Sequence, residues 1–478
     1  MKKRTKIVCT IGPASKDKET LDQMVKKGMN VARLNFSHGT YESHKNLIDN
    51  IREVSKRQDK PIAIMQDVQG PKIRIGNMPD SGAKLKEGGT AVFDTDLDDY
   101  SDGDIPIDYS DLHEYVEPEE RLLIDDGKII VKITSVEDSK IKTEVQAGGT
   151  VLSHKGINAP DSKLAVRAVT DKDKEDIKFG VKNDVDFLAV SFVRAAEDIK
   201  DARELIRKYE QQLDIDQKQT IRIIAKIERR EALENIEEII KTADGIMVAR
   251  GDLGIEIPPE EVPLKQKELI ELSIQEAKPV IVATQMLDSM EENPRPTRAE
   301  VSDVSNAVID HTDAVMLSGE SASGKYPIEA VDIMSKIVQE TEQSHYDDLP
   351  PSKLIEDVLE TDEALANISK IISEEVDAAL ILAASLSGHT GRLISRCRPE
   401  LPIAVATNTE RVKKQLNLSW GVAPFVLPKC SSLDEIIDRA KLELKKRGMI
   451  QEGDKIIFIA GEPVGEEGNI NILEVKKI

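Results

Sequence analysis

Aromatic side chains are scarce in this chain of 478 residues: Phe, Tyr and Trp together make up 3% of it, and only one residue is tryptophan. Hydrophobic residues nevertheless reach 39%, so the hydrophobic cores must consist mainly of aliphatic side chains. A chain of this length is too long for one ordinary core. We therefore expect roughly two to four domains.

Cysteine is also scarce. Cys9, Cys397 and Cys430 are the three in the chain, and no two have the spacing of a CxxC motif. This pattern argues against a disulfide framework and a zinc cluster, and it fits a protein of the reducing cytoplasm. The apolar run near the N-terminus is too short for a signal peptide, and no apolar run reaches the length of about 18 residues typical of a membrane-spanning helix. A membrane location is therefore not expected.

Positive charge is in deficit. The 66 lysines and arginines are outnumbered by 88 aspartates and glutamates, which gives a formal net charge of −22. Such a surface repels nucleic acids and anionic membranes, so neither is an expected partner. A local basic pocket is still compatible with binding of a phosphate group.

Short β-rich runs, each followed by a helical pattern, recur along the chain. The runs are nearly continuous in apolar residues, as is typical of parallel strands that are buried on both faces. Eight such runs alternating with helices predict an α/β fold whose centre is a (β/α)₈ TIM barrel. The predicted strands are residues 6–12, 31–37, 61–68, 187–193, 221–228, 245–250, 279–286 and 314–318.

Two segments depart from this alternation. Residues 71–167 lack long helical periodicity and contain alternating runs such as KIIVKITSV, which predicts a small all-β domain inserted after barrel strand three. The barrel would then comprise residues 1–70 and 168–346. Residues 347–478 predict a C-terminal open-sheet α/β domain, and the linker SHYDDLPPSK with its two prolines suits the boundary. The strand candidates of this domain are residues 378–385, 402–408, 423–427, 455–461 and 472–478.

Polar side chains occur at the C-terminal ends of the predicted barrel strands, where TIM barrels place their reactive groups. Residues spaced by two share one face of a strand, so each such set is expected to point the same way. These residues are Arg33, Asn35 and Ser37 on strand two, Asp67 after strand three, Lys226 and Glu228 on strand five, Asp252 after strand six, and Thr284 on strand seven.

Two of these carboxylates suggest a metal site. Glu228 and Asp252 come from adjacent strands, and Mg²⁺ typically takes one or two carboxylates together with substrate oxygens and water. Arg33 and Lys226 add positive charge beside them, and a metal with Arg and Lys is suited to stabilising a transferring phosphoryl group. The alternative is that Lys226 and Glu228 form a purely structural ion pair.

Several long motifs cover essentially the whole chain: CTIGPAS, ARLNFSHG, GPKIR, AKIE, MVARGDLGIEIP, ATQMLDSM, PTRAEVSDVSNAV and AVMLSGESASGKYP. Together these motifs resemble those of the pyruvate kinase family. The resemblance implies transfer of a phosphoryl group from phosphoenolpyruvate to ADP, giving pyruvate and ATP in the last step of glycolysis. It also implies a cytoplasmic homotetramer regulated by a phosphorylated allosteric effector. We expect a bacterial type without the further C-terminal domain that some relatives carry.

The resemblance assigns roles to the residues at the barrel mouth. It implies that Arg33 grips the transferring phosphate, that Lys226 neutralises it in the transition state, and that Glu228 and Asp252 hold Mg²⁺, which Mn²⁺ could replace. Thr284, with the backbone amides of Gly251 and Asp252, would bind the carboxylate and lie near the face where the enolate is protonated. A capping role is the alternative for His38. The implied nucleotide-binding residues are Asn35, Phe36, Ser37, His38, Arg74 and Lys155.

The segment QDVQGPKIR suggests a subtype within this family. K⁺-dependent members resemble DTKGPEIR, and this chain differs from that pattern at Val68, Gln69 and Lys72. A Lys72 ammonium near the phosphate-binding face would supply the charge that K⁺ otherwise provides, so we expect that K⁺ is not required. The alternative is that Lys72 is a solvated hinge residue. A vestigial K⁺ site would comprise Asn35, Ser37, Asp67 and Val68.

The segment SLSGHTGRL in the C-terminal domain predicts an anion site. It follows an apolar strand and precedes a helical pattern, so hydroxyls and helix N-terminal amides come together there. In the family, the matching loop binds the phosphate of the effector; an ordinary helix cap is the alternative. The later loop GEPVGEEGNIN has no arginine, which favours a monophosphate such as AMP or a sugar monophosphate. The candidate effector-binding residues are Ser385, Ser387, Gly388, His389 and Thr390.

Two other functions compete with this reading. One is another barrel enzyme of the phosphoenolpyruvate/pyruvate group, such as an aldolase or lyase, which would need neither the inserted domain nor the row of Arg33, Asn35 and Ser37. The other is a non-catalytic effector-binding protein with an inactive barrel. Such a protein is expected to lose Lys226, Glu228 or Asp252, and all three are present.

Overall fold

A closed barrel of eight parallel strands forms the centre of the molecule. The computed structural model describes residues 3–162, 168–216, 219–349, 360–466, 468 and 470–478. The predicted limit at residue 167, residues 350–353 of the predicted linker, and residues 467 and 469 of the GEPVGEEGNIN loop lie outside these ranges. The chain enters the barrel through β1 (Lys6–Thr10), α1 (Lys18–Lys27), β2 (Val31–Asn35), α2 (Tyr41–Gln58) and β3 (Ala63–Asp67).

After β3 the chain leaves the barrel and forms a separate β unit with its own aliphatic core around Phe93. Its six-stranded sheet has the order β11-β7-β8-β9-β5-β6, and β4 pairs with β10. This agrees with the predicted insertion after barrel strand three. The elements are β4 (Ala83–Leu85), β5 (Thr90–Asp94), β6 (Asp104–Pro106), α3 (Leu112–Tyr115), β7 (Arg121–Ile124), β8 (Ile129–Glu137), β9 (Lys140–Ala147), β10 (Gly149–Val151) and β11 (Ile157–Asn158).

The chain then completes the barrel, in which β1 pairs with both β2 and the last barrel strand. Single-turn 3₁₀ helices occur at Pro259–Glu261, Asp288–Glu291 and His345–Asp347. The regular elements are α4 (Asp171–Lys182), β12 (Phe187–Val190), α5 (Ala196–Gln212), β13 (Arg222–Ile227), α6 (Arg230–Glu234), α7 (Ile236–Thr242), β14 (Gly245–Ala249), α8 (Arg250–Glu256), α9 (Val262–Gln275), β15 (Val280–Ala283), α10 (Arg298–Ile309), β16 (Ala314–Leu317), α11 (Gly319–Ala322) and α12 (Pro327–Thr341).

All eight predicted barrel strands are confirmed, but each ends earlier than the apolar pattern suggested. The barrel order is β1-β16-β15-β14-β13-β12-β3-β2. The predicted second strand ran to Ser37, whereas β2 ends at Asn35, and the predicted seventh ran to Met286, whereas β15 ends at Ala283. The residues beyond these ends leave the hydrogen-bond ladder and become the loops of the barrel mouth.

The barrel interior reflects the scarcity of aromatic residues. Its cluster consists of aliphatic side chains and methionines, with Phe187 as the one ring among the members found in the described chain. A second shell of aliphatic side chains fills the space between the strands and the surrounding helices. Burying a side chain of this size contributes roughly 1.5–3 kcal/mol, so the barrel is stabilised without aromatic packing.

The C-terminal unit is an open sheet with the order β19-β18-β17-β20-β21, in which only the β20–β21 pair is antiparallel. All five predicted strands are present. In the described ranges, no helix is both long and apolar enough to cross a membrane. The elements are α13 (Thr361–Glu375), β17 (Leu380–Ala384), α14 (His389–Arg396), β18 (Ile403–Thr407), α15 (Glu410–Leu416), β19 (Val422–Val426), α16 (Leu433–Lys446), β20 (Lys455–Ala460) and β21 (Ile472–Lys477).

Charged residues join the barrel to the C-terminal sheet. The single tryptophan, Trp420, is buried, with the guanidinium of Arg4 5.0 Å from its ring centroid and that of Arg398 5.2 Å away. Arg4 also donates to Asp347 Oδ2 at 3.0 Å. Burial, with the nearby charge of Glu342, nevertheless raises the pKa of Asp347 to about 7. The interface therefore contains a buried carboxyl that favours its protonated form.

Candidate active site

Lys226 lies at the centre of a polar cluster in the barrel mouth. Its Nζ is 2.8 Å from Glu228 Oε1 and 3.3 Å from Asp67 Oδ1, and it donates to Ser191 Oγ at 2.7 Å. Burial alone would lower the pKa of Lys226, but the charges of Asp67 and Glu228 outweigh it and raise that pKa. The side chain therefore remains a cation at neutral pH.

Asp67 orients two cations. Its Oδ2 accepts from Arg33 Nε at 2.6 Å, while Oδ1 faces Lys226. Burial would raise the pKa of Asp67, but the charges of Arg33 and Lys226 lower it on balance. A second hydrogen bond, from Arg33 Nη1 to Thr10 Oγ1 at 2.9 Å, completes the arrangement. One buried carboxylate thus holds Arg33 and Lys226 side by side.

The two residues directly after β12 supply groups that the sequence reasoning missed. Ser191 accepts from Lys226 and donates to the carbonyl of Val68 at 2.7 Å. The backbone N–H of Phe192 donates to Glu228 Oε2 at 2.7 Å, and this residue has φ +55°. A bulky residue with positive φ is rare and marks a constrained backbone. The serine that interrupts the apolar run FLAVSFV was the available signal.

Asp252 is the second carboxylate at this end of the barrel. Burial and the charge of Glu228 raise the pKa of Asp252 to about 6. Two like charges that are incompletely compensated by Lys226 fit a site for a divalent cation. Within the described ranges, no group of three or more His, Cys, Asp or Glu side chains is arranged to hold a metal. The donor set therefore fits Mg²⁺ with substrate and water ligands better than a closed protein cage.

Thr284 lies against the N-terminus of α8. Its Oγ1 accepts from the N–H of Gly251 at 2.8 Å and donates to the carbonyl of Ala283 at 2.6 Å. A Cβ at position 251 would lie 3.3 Å from Thr284 Oγ1, which is tighter than ordinary contact. The glycine therefore permits the close approach of α8 to the end of β15.

The last residue of β2 and the loop after it contain the four consecutive candidate nucleotide-binding residues. Asn35 Oδ1 accepts from the N–H of Ser37 at 3.1 Å, and His38 is exposed. The ring of Phe36 is buried and stacks on His44 with centroids 3.9 Å apart, so only its backbone faces the loop. Lys172 donates to the Phe36 carbonyl at 2.8 Å and helps to hold the loop in place.

The other two candidate nucleotide-binding residues lie in the inserted unit. Arg74 donates from Nη1 to the carbonyl of His154 at 2.9 Å. Lys155 forms a 2.8 Å ion pair with Asp125 Oδ1, and a hydrogen bond from Lys155 is the main reason why the pKa of Asp125 is lowered. Both cations are thus held by their own unit.

Lys72 lies between the inserted unit and the barrel. A Cβ at Gly156 would lie 3.0 Å from Lys72 Cε, so the lysine stem passes directly over this glycine. The charge of Lys72 opposes the rise in the pKa of Asp252, but less than the charge of Lys226 does. Lys72 is half-buried, and its role as an internal cation stays a prediction.

Three of the four residues in the expected vestigial K⁺ site have oxygens with protein partners. Both oxygens of Asp67 face cations, and the Val68 carbonyl accepts from Ser191. The side-chain oxygen of Asn35 accepts from the Ser37 amide. A monovalent cation would have to compete with Lys226 and with these hydrogen bonds.

A cavity of about 400 Å³ lies beside the candidate effector loop. Of the five candidate residues, Gly388 is the one that does not line it; this residue caps α14 with φ +78°. His389 Nε2 lies 3.1 Å from Asp362 Oδ2, yet burial and the charge of Arg392 lower the pKa of His389. The cavity is also lined by Thr407, Thr409, Cys430 and Glu466. Its volume is in the range of small-molecule sites.

Comparison with known proteins identifies the family. Residues 2–331 match the model described as pyruvate kinase, barrel domain, and residues 363–476 match the model described as pyruvate kinase, alpha/beta domain. The chain is 44% identical over 481 residues to a pyruvate kinase of Geobacillus stearothermophilus, covering 100% of this chain and 81% of that protein.

Two further comparisons agree. A pyruvate kinase of Sporosarcina psychrophila is 42% identical over 479 residues, covering 100% of this chain and 80% of that protein. The crystal structure of a pyruvate kinase from Cryptosporidium parvum superposes with a TM-score of 0.91 at 36% identity, covering 100% of this chain and 96% of that chain. The chain therefore belongs to the pyruvate kinase family and is a phosphotransferase.

Proposed function

We propose that the barrel mouth transfers the phosphoryl group of phosphoenolpyruvate to ADP, with Lys226 and Arg33 binding the transferring group. The observation that carries this proposal is the shared carboxylate of Asp67, which holds both cations at one place. Fixed positive charges aimed at a transferring phosphoryl group stabilise its transition state without the cost of reorganising solvent.

Glu228 and Asp252 are proposed to hold Mg²⁺, for which Mn²⁺ could substitute. Both carboxylates follow neighbouring barrel strands, and burial together with the charge of Glu228 raises the pKa of Asp252 to about 6, which supports a cation beside them. When bound, the ion supplies Lewis-acid stabilisation of charge on the phosphoryl and enolate oxygens. The amide of Phe192 orients Glu228, so this carboxylate is held in place before any ion binds.

Thr284 and the N-terminus of α8 are proposed to bind the substrate carboxylate. The proposed donors are the amides of Gly251 and Asp252, and the amide of Gly251 already donates to Thr284 Oγ1. A substrate oxygen would share that amide or receive the hydroxyl proton that Ala283 now accepts. The same hydroxyl is suited to relay a proton to the enolate, directly or through water.

ADP is proposed to bind between the β2 loop and the inserted unit. The contacts come from Asn35, Ser37 and His38, from the backbone of Phe36, and from the side chains of Arg74 and Lys155. A second Mg²⁺ is expected to arrive with the nucleotide. The chain's net charge of −22 makes such a local basic set necessary for binding an anion.

A steady-state assay of ADP-dependent pyruvate formation from phosphoenolpyruvate tests the function. Activity with Mg²⁺ present, and its loss in Asp252→Asn, would support the assignment. If no ATP forms, the assignment to phosphoryl transfer is wrong. Products of carbon–carbon bond cleavage would favour the aldolase or lyase alternative.

We also propose that the enzyme does not need K⁺, because Lys72 supplies a positive charge near the barrel mouth. The observations that support this are its electrostatic effect on Asp252 and the occupied oxygens of Asp67 and Val68. Activity in tetramethylammonium buffer should equal that in K⁺ buffer within about twofold, since the internal cation is always present. Strong activation by K⁺ would contradict the proposal.

The C-terminal cavity is proposed to bind a phosphorylated effector, with a preference for a monophosphate such as AMP. Its loop connects directly to the catalytic strand: Arg222, the first residue of β13, donates from Nη2 to the Ser387 carbonyl at 2.6 Å and from Nε to Gln415 Oε1 at 3.0 Å. Lys226 lies four residues further along the same strand. A shift of the effector loop would therefore act on the strand that carries Lys226.

Calorimetric titration with AMP, a sugar monophosphate and fructose bisphosphate tests this site. We expect AMP to bind the parent enzyme and to lower its KM for phosphoenolpyruvate. In Arg222→Lys, AMP should bind with the same affinity but no longer change this KM. Absence of binding by all three would reject the effector site, whereas binding with unchanged coupling in Arg222→Lys would reject only the route through β13.

The enzyme is further proposed to be a cytoplasmic homotetramer. The glycolytic role of the family supports the location, and light scattering coupled to gel filtration measures the assembly. A mass of one or two chains would contradict the tetramer.

A further inference from the structure

Two consecutive residues at the end of β15 have an unusual backbone. Thr284 has φ +69° and Gln285 has φ +55°, both in the left-handed region. This region is uncommon for residues other than glycine and is a genuine outlier for a β-branched residue such as threonine. Such a conformation persists only where the surrounding structure imposes it.

Arg250 supplies that constraint. As the first residue of α8, it reaches the end of β15 and donates from Nη2 to the carbonyls of Thr284 at 2.9 Å and Gln285 at 3.1 Å. One guanidinium nitrogen thus lies against both left-handed residues. The side chain is about one tenth exposed, so these bonds are largely shielded from water.

The guanidinium of Arg250 is also held by the carboxylate of Asp303 on α10. The two groups pair bidentately, with Nη1 2.8 Å from Oδ1 and Nη2 2.7 Å from Oδ2. Bidentate pairing fixes both the position and the plane of the guanidinium. A continuous set of hydrogen bonds therefore runs from α10 through Arg250 to the backbone of Thr284.

The residue after Arg250 holds the side chain of the same threonine. Gly251 donates its N–H to Thr284 Oγ1 at 2.8 Å. The carbonyl of Thr284 is therefore held by Arg250 and its hydroxyl by Gly251. Two adjacent residues at the start of α8 determine both the backbone conformation of Thr284 and the direction of its side chain.

We propose that Arg250 is a positioning residue that keeps Thr284 left-handed and thereby aims its hydroxyl at the substrate, an inference that rests on the role proposed above for Thr284. The sequence VARGDLG suggested chemistry only for the glycine and the aspartate. The arginine acts through the threonine and does not itself touch the reacting atoms.

Arg250→Lys is the direct test, because lysine keeps the charge but has no planar fork to bridge a carboxylate and two carbonyls. We expect kcat to fall about 10- to 100-fold, as is usual when a catalytic group is displaced, while the KM for ADP stays within about twofold. Exchange of the pyruvate methyl hydrogens with deuterated solvent, followed by NMR, should slow by a similar factor.

Arg203→Lys is the matched control. Arg203 also donates to a backbone carbonyl, that of Thr242 at 2.9 Å, and to a carboxylate, Asp244 Oδ2 at 3.0 Å. Asp244 immediately precedes β14 and thus lies at the opposite end of the barrel from Asp252. We expect this variant to match the parent in kcat and in hydrogen exchange.

A double-mutant cycle separates positioning from a general structural role. In a Thr284→Ala background, Arg250→Lys should lower kcat by less than about threefold, because the hydroxyl that Arg250 orients is already absent. Losses that multiply independently would overturn the proposal. So would a normal kcat in Arg250→Lys when Thr284→Ala is impaired. If neither Arg250→Lys nor Thr284→Ala is impaired, the role proposed for Thr284 in binding the substrate carboxylate and relaying a proton is wrong.

Asp303→Asn keeps the proposal testable if Arg250→Lys does not fold, as thermal unfolding would show. This change weakens the outer contact of the guanidinium and leaves its bonds to the carbonyls of Thr284 and Gln285. We expect a smaller loss of kcat, about three- to tenfold, with the same lack of additivity in the Thr284→Ala background. A fully additive loss would overturn the proposal here as well.

Discussion

Lys226→Met removes the cation at the centre of the barrel mouth and nearly preserves its volume. In the parent, the ammonium lies 2.8 Å from Glu228 and 3.3 Å from Asp67. The variant leaves each carboxylate with a close partner, since Asp67 keeps Arg33 at 2.6 Å and Glu228 keeps the Phe192 amide at 2.7 Å. Substrate binding and phosphoryl transfer should therefore respond differently.

The expected effects on turnover, on substrate binding and on stability follow from these contacts. Losing one preorganised group that stabilises transition-state charge costs about 10²–10³ in kcat, or roughly 3–4 kcal/mol. Ground-state binding of phosphoenolpyruvate should weaken by less than about tenfold, because Arg33 remains to bind the phosphate. Stability should fall by roughly 1–3 kcal/mol, the cost of leaving a buried polar group without one of its partners.

Lys6→Met is the matched control for a buried lysine of the same barrel. Lys6 lies at the N-terminal end of β1, where Nζ donates to the Val422 carbonyl at 2.7 Å and burial lowers the pKa of Lys6 to about 8. Stopped-flow turnover, equilibrium binding of phosphoenolpyruvate and thermal unfolding should be measured for both variants. We expect Lys6→Met to keep kcat within about twofold of the parent, since it is remote from the mouth. If Lys226→Met keeps kcat within threefold, the role assigned to Lys226 is refuted.

Three further predictions concern the mouth and the domain interface. Lys72→Glu should make activity depend on K⁺, rising about tenfold or more when K⁺ replaces tetramethylammonium, and equal rates in both buffers would contradict the role of Lys72. Ser191→Ala should lower kcat about tenfold with little change in melting temperature, whereas Ser191→Thr should restore it if the hydroxyl matters. Folding raises the pKa of Asp347 from 3.8 to about 7. The stabilisation by its protonated form is therefore fully present below about pH 4 and is lost as the pH rises to about 7, which lowers the free energy of unfolding by up to about 4 kcal/mol. Asp347→Asn should flatten this fall in thermal melts, and an unchanged slope would exclude the carboxyl as its cause.

The architecture was predictable from local pattern. Runs such as KIVCTIG and FLAVSFV are apolar on both faces, which is possible only for strands covered on both sides, and eight of them alternate with helices. The inserted unit was recognisable because residues 71–167 lose helical periodicity and alternate instead. Parity along β2 and β13 also indicated that Arg33 lies on the same side as Asn35, and Lys226 on the same side as Glu228.

The residues that orient the site were not predictable in this way. Ser191 and Phe192 looked like the end of an ordinary apolar strand, yet they hold Lys226 and Glu228. Arg250 looked like a spacer before Gly251, yet it contacts residues 34 and 35 positions further along the chain. Neither role has a local signature, because the partners meet only when neighbouring strands and helices pack.

The sequence by itself determined the order of strands and helices, and it predicted the groups at the barrel mouth: three carboxylates, a lysine, an arginine and a threonine at strand ends. Its net charge of −22 also indicated that binding a phosphate would need a local basic set. Only the tertiary structure decided their pairing. It showed that the carboxylate of Asp67 is shared by Arg33 and Lys226. It also showed that Thr284 is held left-handed by Arg250. The physical reason is that strand identity depends on neighbours along the chain, whereas hydrogen-bond direction and charge balance depend on neighbours in space.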